Sequence, residues 1–254
     1  MGDLIGDKAS LIGPLNILRL ERWDALKLVQ SAWRIRQPLD IAICNAHTAL
    51  IAFDDPDFAN ILSKMTLLND GVGVDLASRL LHGMPFPDNL NGTDLVPFIL
   101  KNCDVPLRVY LLGAKYQQVL SAKSHIEATY PQHDVVGVRN GYFGEEDCPK
   151  ICSNISATKP DLLLVAMGNP RQERFIVENR NRLDVGVTIG VGALFDFMSG
   201  SVSRAPKIVQ KTGFEWLFRL CQEPRRLFHR YAIGIPRFLY AVLKLKIQRM
   251  TKKA

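Results

Sequence analysis

Six short runs of this chain are apolar almost end to end, and longer amphipathic stretches separate most of them. The runs are LDIAICN (39–45), MTLLND (65–70), LRVYLLGA (107–114), HDVVGV (133–138), PDLLLVAMG (160–168) and VGVTIGVG (185–192). Near-continuous apolar character over so short a span predicts strands covered on both faces. Between them, stretches such as AKYQQVLSAKSHIEATY (114–130) and RQERFIVENRNRL (171–183) carry the apolar spacing of helices. This alternation predicts an α/β fold, a mostly parallel sheet with helices on both faces and ligands at the carboxyl ends of its strands.

Several predicted strand ends carry glycine: LLGA, VAMGNPRQE and IGVGALFD. Glycine there lets backbone N–H groups approach a ligand, and a following helix N-terminus favours an anion. Each glycine alone is more often a plain turn residue; three in one sheet favour a phosphate or nucleotide pocket. Neither G-x-G-x-x-G nor G-x-x-x-x-G-K-[ST] occurs, which disfavours dinucleotide and P-loop readings.

Composition changes the picture little, but charge changes it markedly. The 254 residues are 47% hydrophobic and 22% charged, as in soluble globular proteins. Cys44, Cys103, Cys148, Cys152 and Cys221 form no C-x-x-C pair, so a reducing cytoplasm is expected and no disulfide framework. No secretory signal and no span long enough for a bilayer is visible. From Ser201 onward thirteen Lys and Arg stand against two Glu, whereas the preceding residues hold nineteen against twenty-three Asp and Glu. The split predicts two parts: a core over 1–200 and a basic, amphipathic helical C-terminal appendage over 201–254.

In the appendage, Phe238, Leu239, Val242, Leu243 and Leu245 alternate with Arg237, Lys244, Lys246 and Arg249. That mixture suits a helix lying in a membrane interface, with cations among lipid phosphates. It also suits single-stranded nucleic acid, or a helix packed on the core or on a sister subunit. The long aliphatic face favours the membrane.

Two acidic stretches are candidates for chemistry. In NDGVGV, Asp70 precedes a glycine and a helix-like run, as a turn residue or as a base aimed at a substrate. In DDPD (54–57), Asp55 before Pro56 reads as a helix N-cap with proline at the first helical position rather than as a metal ligand. The five histidines form no ligand-spaced pair; His47 lies close to the expected pocket.

Four blocks in order, NDGVGV with NGTDLVP downstream, GYF, VAMGNPRQERFI, and GVGALFDFMSGSVSRAPKIVQKTGFEWLFRLCQEPRR, resemble the WecG/TagA/CpsF family of glycosyltransferases. The resemblance runs from about Ile41 to Arg237. It implies a Rossmann-like core and an inverting transfer of a hexose-type sugar from a nucleotide sugar, usually a UDP-sugar. The acceptor it implies is a polyprenyl-diphosphate-linked saccharide at the inner face of the cell membrane, in exopolysaccharide or cell-envelope polymer synthesis.

Carried over residue by residue, the resemblance makes Asp70 the general base. It places Asn45 and Arg204 on the acceptor and diphosphate side, with Asn89 at the place of a family arginine and Arg79 as the candidate cation in its stead. On the nucleotide-sugar side it places Gly168, Asn169, Pro170, Gln172 and Glu173, with Gly113, Ala114, Gly190 and Gly192 as further pocket candidates. Asn45 is equally a satisfied polar residue at a strand end, and Glu173 equally a helix-terminus carboxylate. Arg225, Arg226, Arg237, Lys244 and Lys246 are expected at an anionic membrane surface, with Arg219 grouped among the same lipid-facing cations. No metal cofactor and no nucleic-acid partner is expected, and a homo-oligomer is compatible with the pattern. Two positions depart from the family: Asn89 stands where many relatives have arginine, and Ile43 where threonine is usual. These departures keep a second class open, a non-catalytic membrane- or nucleic-acid-binding protein on the same fold.

Overall fold

The structure is a computed structural model that describes residues 9–206, 208–209 and 215–251. Eight strands form one sheet: β1 (Ala9–Ile12), β2 (Leu15–Leu18), β3 (Leu39–Cys44), β4 (Thr66–Asn69), β5 (Arg108–Gly113), β6 (Asp134–Arg139), β7 (Leu162–Ala166) and β8 (Val187–Gly190). Their order is β1-β2-β4-β3-β8-β7-β5-β6, and only the β1–β2 pair is antiparallel. The six predicted runs are β3 to β8. The β1–β2 hairpin is an addition, because its alternation is inverted: Ser10 is buried and bonded to Ser78 Oγ at 2.9 Å, while Leu11 is exposed.

Among the described residues nine α-helices interleave with the strands: α1 (Arg22–Arg34), α2 (Ala46–Asp54), α3 (Pro56–Ser63), α4 (Gly71–His82), α5 (Gly92–Asn102), α6 (Tyr116–Thr129), α7 (Cys148–Ala157), α8 (Arg171–Glu178) and α9 (Leu194–Met198). Successive residues of a strand point to opposite faces, and the two cores follow that rule. Leu163 and Val165 of β7 pack with Ala49 of α2, Phe58 of α3, Val74 of α4 and Phe175 of α8. Leu162 and Leu164 pack with Val29 of α1, Ile99 of α5, Val119 of α6 and Phe195 of α9. Each fully buried Val, Leu, Ile or Phe side chain among them contributes about 1.5–3 kcal/mol relative to exposure. Asp55 N-caps α3 as the sequence predicts: Oδ1 accepts from Phe58 N–H at 3.0 Å behind Pro56.

Past Ser201 the chain forms α10 (Glu215–Gln222), α11 (Pro224–Phe228), a π-helical turn at His229–Ile233, and α12 (Gly234–Thr251). At 100° per residue, α12 has two opposed faces. Phe238 and Val242 are 0% exposed and belong to the core beside α2 and α4, Phe238 stacking on Phe53 with centroids 6.1 Å apart. Arg249, on the same side, donates to the Leu11 carbonyl at 2.9 Å. The opposite side shows Tyr240, Leu243, Ile247 and Met250 to solvent, with the exposed Lys244 and Lys246 on either flank. The lipid-facing stripe expected from the sequence is therefore corrected: Phe238 and Val242 serve the core.

Candidate active site

Register brings the first two site residues together. β3 and β4 are parallel, with Cys44 opposite Asn69, so the next residue on each strand, Asn45 and Asp70, emerges at the same level. The Asp70 N–H donates to the Cys44 carbonyl at 2.9 Å, and Asn45 Nδ2 donates to Asp70 Oδ2 at 3.3 Å. The helices that follow are in close approach: a Cβ on Gly73 of α4 would lie 2.7 Å from the Ala46 Cβ of α2. Glycine at 73 thus permits the two N-termini to sit side by side.

Asn45 also N-caps α2, its Oδ1 accepting from the N–H groups of His47 at 3.1 Å and Thr48 at 3.2 Å. The capping reading and the site reading of Asn45 both hold geometrically, since its two amide atoms do different work. Asp70 occupies the N-cap position of α4 but makes no side-chain cap bond. Asn89 serves that helix end instead, Oδ1 accepting from the Gly71 N–H at 2.9 Å.

Burial pushes the Asp70 carboxyl above the ordinary aspartate range, although the Asn45 hydrogen bond and the charges of Arg230 and Arg219 act the other way. His47 is pushed down to about 4, by burial first and then by Arg230 and His229, so it is neutral at physiological pH.

Asp70, Asn45, Asn89, Arg79 and His47 line one large cleft at the carboxyl ends of the strands. A further wall comes from the appendage and includes Trp216, Arg219, His229 and Arg230, and the charges of the two arginines reach Asp70. Arg219 is a correction to its expected place among lipid-facing cations. Its guanidinium lies 5.1 Å over the Phe197 ring, and its buried Nε has no hydrogen-bond partner among the described residues. Arg230 was not singled out in the sequence at all.

Arg204 does not line the cleft. It forms a two-pronged ion pair with Asp94, including NH2 to Oδ2 at 2.9 Å, and reaches Glu215 at 3.5 Å. Its guanidinium therefore ties the appendage to α5 instead of facing the cleft. Arg79 bonds Asp75 one turn earlier on α4, at 2.9 Å. Arg237 lies on the cleft rim and pairs with Asp54 at 3.2 Å. Arg225, Lys244 and Lys246 are exposed away from the cleft; the side chain of Arg226 lies outside the described residues.

On the β7–β8 side, Ala114, Gly168, Asn169, Gln172, Gly190 and Gly192 line the cleft, whereas Gly113, Pro170 and Glu173 do not. The glycine amides expected to cradle an anion are already engaged. Gln172 Oε1 accepts from Gly168 N–H at 3.2 Å and from Gly192 N–H at 3.1 Å. Asn169 Nδ2 and Gln172 Nε2 both donate to Glu173 Oε1, at 2.5 Å and 2.8 Å. Burial raises Glu173 to about 7 against those hydrogen bonds. Further along, Gln118 Nε2 donates to Asp196 Oδ1 at 2.8 Å, and Tyr142 of the GYF block stands exposed on the cleft wall. Gln118, Asp196 and Tyr142 were legible only as members of predicted elements. Among the described residues no group of three or more His, Cys, Asp or Glu is gathered as a metal would require.

A carboxylate of raised basicity facing guanidinium groups across a cleft suits moving a group from an anionic leaving group to a hydroxyl, and the fold places that cleft where parallel α/β enzymes bind substrate. The class is a group-transfer enzyme. The chain belongs to the glycosyl transferase WecG/TagA/CpsF family, whose model matches residues 11–252. It is 32% identical over 206 residues to a protein of Bacillus spizizenii (strain ATCC 23059 / NRRL B-14472 / W23), covering 80% of this chain and 78% of that one. A Bacillus subtilis (strain 168) protein is 32% identical over 213 residues, 83% of this chain and 81% of its own. A Staphylococcus aureus (strain MW2) protein is 33% identical over 189 residues, 74% and 72%. All three are named N-acetylglucosaminyldiphosphoundecaprenol N-acetyl-beta-D-mannosaminyltransferase. The chain is a glycosyltransferase, so the enzymatic class read from the sequence stands and the non-catalytic alternative is dropped.

Proposed function

We propose that this glycosyltransferase moves a sugar from a UDP-sugar to a saccharide carried on a polyprenyl diphosphate, with inversion at the anomeric carbon, on the inner face of the cell membrane. The observation that carries the reading is Asp70, hydrogen-bonded to Asn45 and facing the Arg219 and Arg230 wall. As the acceptor hydroxyl attacks the anomeric carbon, Asp70 takes its proton; a carboxylate of raised proton affinity is a better base for this than an ordinary one. The bond from the anomeric carbon to the diphosphate breaks in the same step, and negative charge builds on the leaving group. Guanidinium groups fixed in place stabilise that charge without reorganising.

The charges used in this reading are side chains, so it calls for no metal, and chelation with EDTA is expected to leave the rate unchanged. The relatives' names describe an N-acetylmannosaminyl group moved to an N-acetylglucosaminyl diphosphoundecaprenol. The hexose-type sugar expected from the sequence accordingly narrows to an N-acetylated amino sugar as the first donor to try. Membrane contact is supported by the outer stripe of α12, Tyr240, Leu243, Ile247 and Met250 between two lysines. No helix among the described residues is long and apolar enough to cross a bilayer, so the contact proposed is peripheral.

The test is transfer of radiolabel from a panel of UDP-, GDP- and TDP-sugars to a polyprenyl-diphosphate-linked N-acetylglucosamine. Turnover with a UDP-N-acetylhexosamine is the expected result. Absence of transfer from every UDP-sugar overturns the donor assignment, and transfer only to a soluble sugar overturns the acceptor.

A further inference from the structure

Gln172 lines the cleft floor and Glu173 is buried beside it, and no step of the reaction above uses the pair. Gln172 is 1% and Glu173 0% exposed. Through one oxygen Gln172 joins the turn after β7 to the turn after β8, because Oε1 accepts from both Gly168 and Gly192. Both glycines have positive φ, +75° and +56°, a region that other residues rarely adopt. The amide packs flat against β8: a Cβ on Gly190 would come within 2.8 Å of Gln172 Nε2.

An amide can fill such a place in two orientations related by a half-turn. With its nitrogen toward the glycines, donor would face donor twice. The orientation that satisfies both glycine amides sends Nε2 to Glu173 Oε1, which also receives Asn169. Glu173 thereby reinforces the orientation that the two glycine amides require. An ionised carboxylate accepts such bonds about twice as strongly as a neutral group. The other carboxylate oxygen, Oε2, is buried without a partner among the described residues.

We infer that Glu173 is a positioning residue for sugar transfer: in its ionised form it orients Gln172, and Gln172 fixes the Gly168 and Gly192 turns that form the cleft floor. The inference rests on the reading of this cleft as the donor site. The titratable group that faces Glu173 is the buried Cys44 thiol of β3, which burial, then Glu173, then Asp70 push upward, so it stays neutral. Arg174, on the same helix, is turned to Asp55 at 2.8 Å. Ionisation at this place is thus Glu173's own, with a midpoint about 7.

The amide resonances of Gly168 and Gly192, followed by proton–nitrogen NMR from pH 5 to 9, test this without any substrate. Both are expected to move with one shared midpoint near pH 7 in the native protein and in Asp70→Asn, and to lose it in Glu173→Gln. Separate midpoints, or a midpoint that survives Glu173→Gln, overturn the inference; the native spectrum alone decides the first point even if the variant does not fold. In steady-state assays Glu173→Gln is expected to lower kcat at least tenfold and Glu173→Asp to restore part of it. In a Gln172→Ala background, Glu173→Gln is expected to change kcat less than twofold. Effects that instead multiply show that Glu173 does not act through Gln172. A protein that transfers no sugar while its two glycines share the midpoint refutes the transfer reading and leaves the Glu173–Gln172 linkage standing.

Discussion

Asn45 donates to Asp70 across the β3–β4 step, and the same side chain caps α2 with its other amide atom. One residue therefore sets both the position of a helix and the acidity of the proposed base. Asp70→Asn keeps the shape and removes the proton acceptor. A general base contributes about 10²–10⁴-fold to rate, so kcat is expected to fall by that order while UDP affinity, read by calorimetry, stays within about twofold, on the same principle that only the transition-state interaction is lost.

Asn45→Ser separates the two duties. Serine caps a helix about as well as asparagine but cannot donate an amide hydrogen to Asp70. The Asn45 hydrogen bond lowers the Asp70 pKa, so its loss raises that pKa further, and the acid limb of the kcat–pH profile moves to higher pH. Asn45→Ala removes the cap as well and is expected to cost about 1 kcal/mol of stability, measured by urea unfolding.

The two faces of α12 make opposite predictions. Phe238→Ala empties a fully buried site beside Phe53 and is expected to cost about 3–5 kcal/mol. Ile247→Ser on the outer face is expected to change stability by less than about 0.5 kcal/mol while reducing flotation with vesicles containing anionic phospholipid. Unchanged flotation in an Ile247→Ser, Tyr240→Ser double variant would remove the outer stripe from the membrane reading.

Stability should also depend on pH through Glu173. Its folded pKa lies above the ordinary glutamate value, about 7 against 4.5. The stabilising contribution of its neutral form is fully present below the unfolded value and is lost as pH rises through about 7. The difference amounts to on the order of 3 kcal/mol. Unfolding free energies of the native protein and Glu173→Gln, measured from pH 4 to 8, are expected to diverge by that order across this window, the native protein losing ground as pH rises.

The sheet was largely legible because β3, β4, β5, β7 and β8 are mostly buried and announce themselves as apolar runs, while the half-buried edge strand β6 does so through Val135, Val136 and Val138. The β1–β2 hairpin was hidden because Ser10 points inward and Leu11 outward, which breaks the usual alternation. The Asn45 and Asp70 side of the cleft could be read from short motifs at strand ends. The Arg219 and Arg230 wall could not, since a basic stretch does not state which cations turn inward. The π-helical turn at His229–Ile233 compounds this, because it departs from the 3.6-residue period on which a reading of helical phase relies. For the same reason, helical spacing alone could not tell the buried stripe of α12 from its exposed one. The glycine amides misled in a different way: their geometry suits an anion, but a glutamine already fills it.

The Leu11 carbonyl accepts from His82 at 3.0 Å and from Arg249 at 2.9 Å, so the first strand and the last helix meet at one corner. Loss of the Arg249 guanidinium would therefore loosen the β1–β2 hairpin as well as the helix that carries the outward greasy stripe.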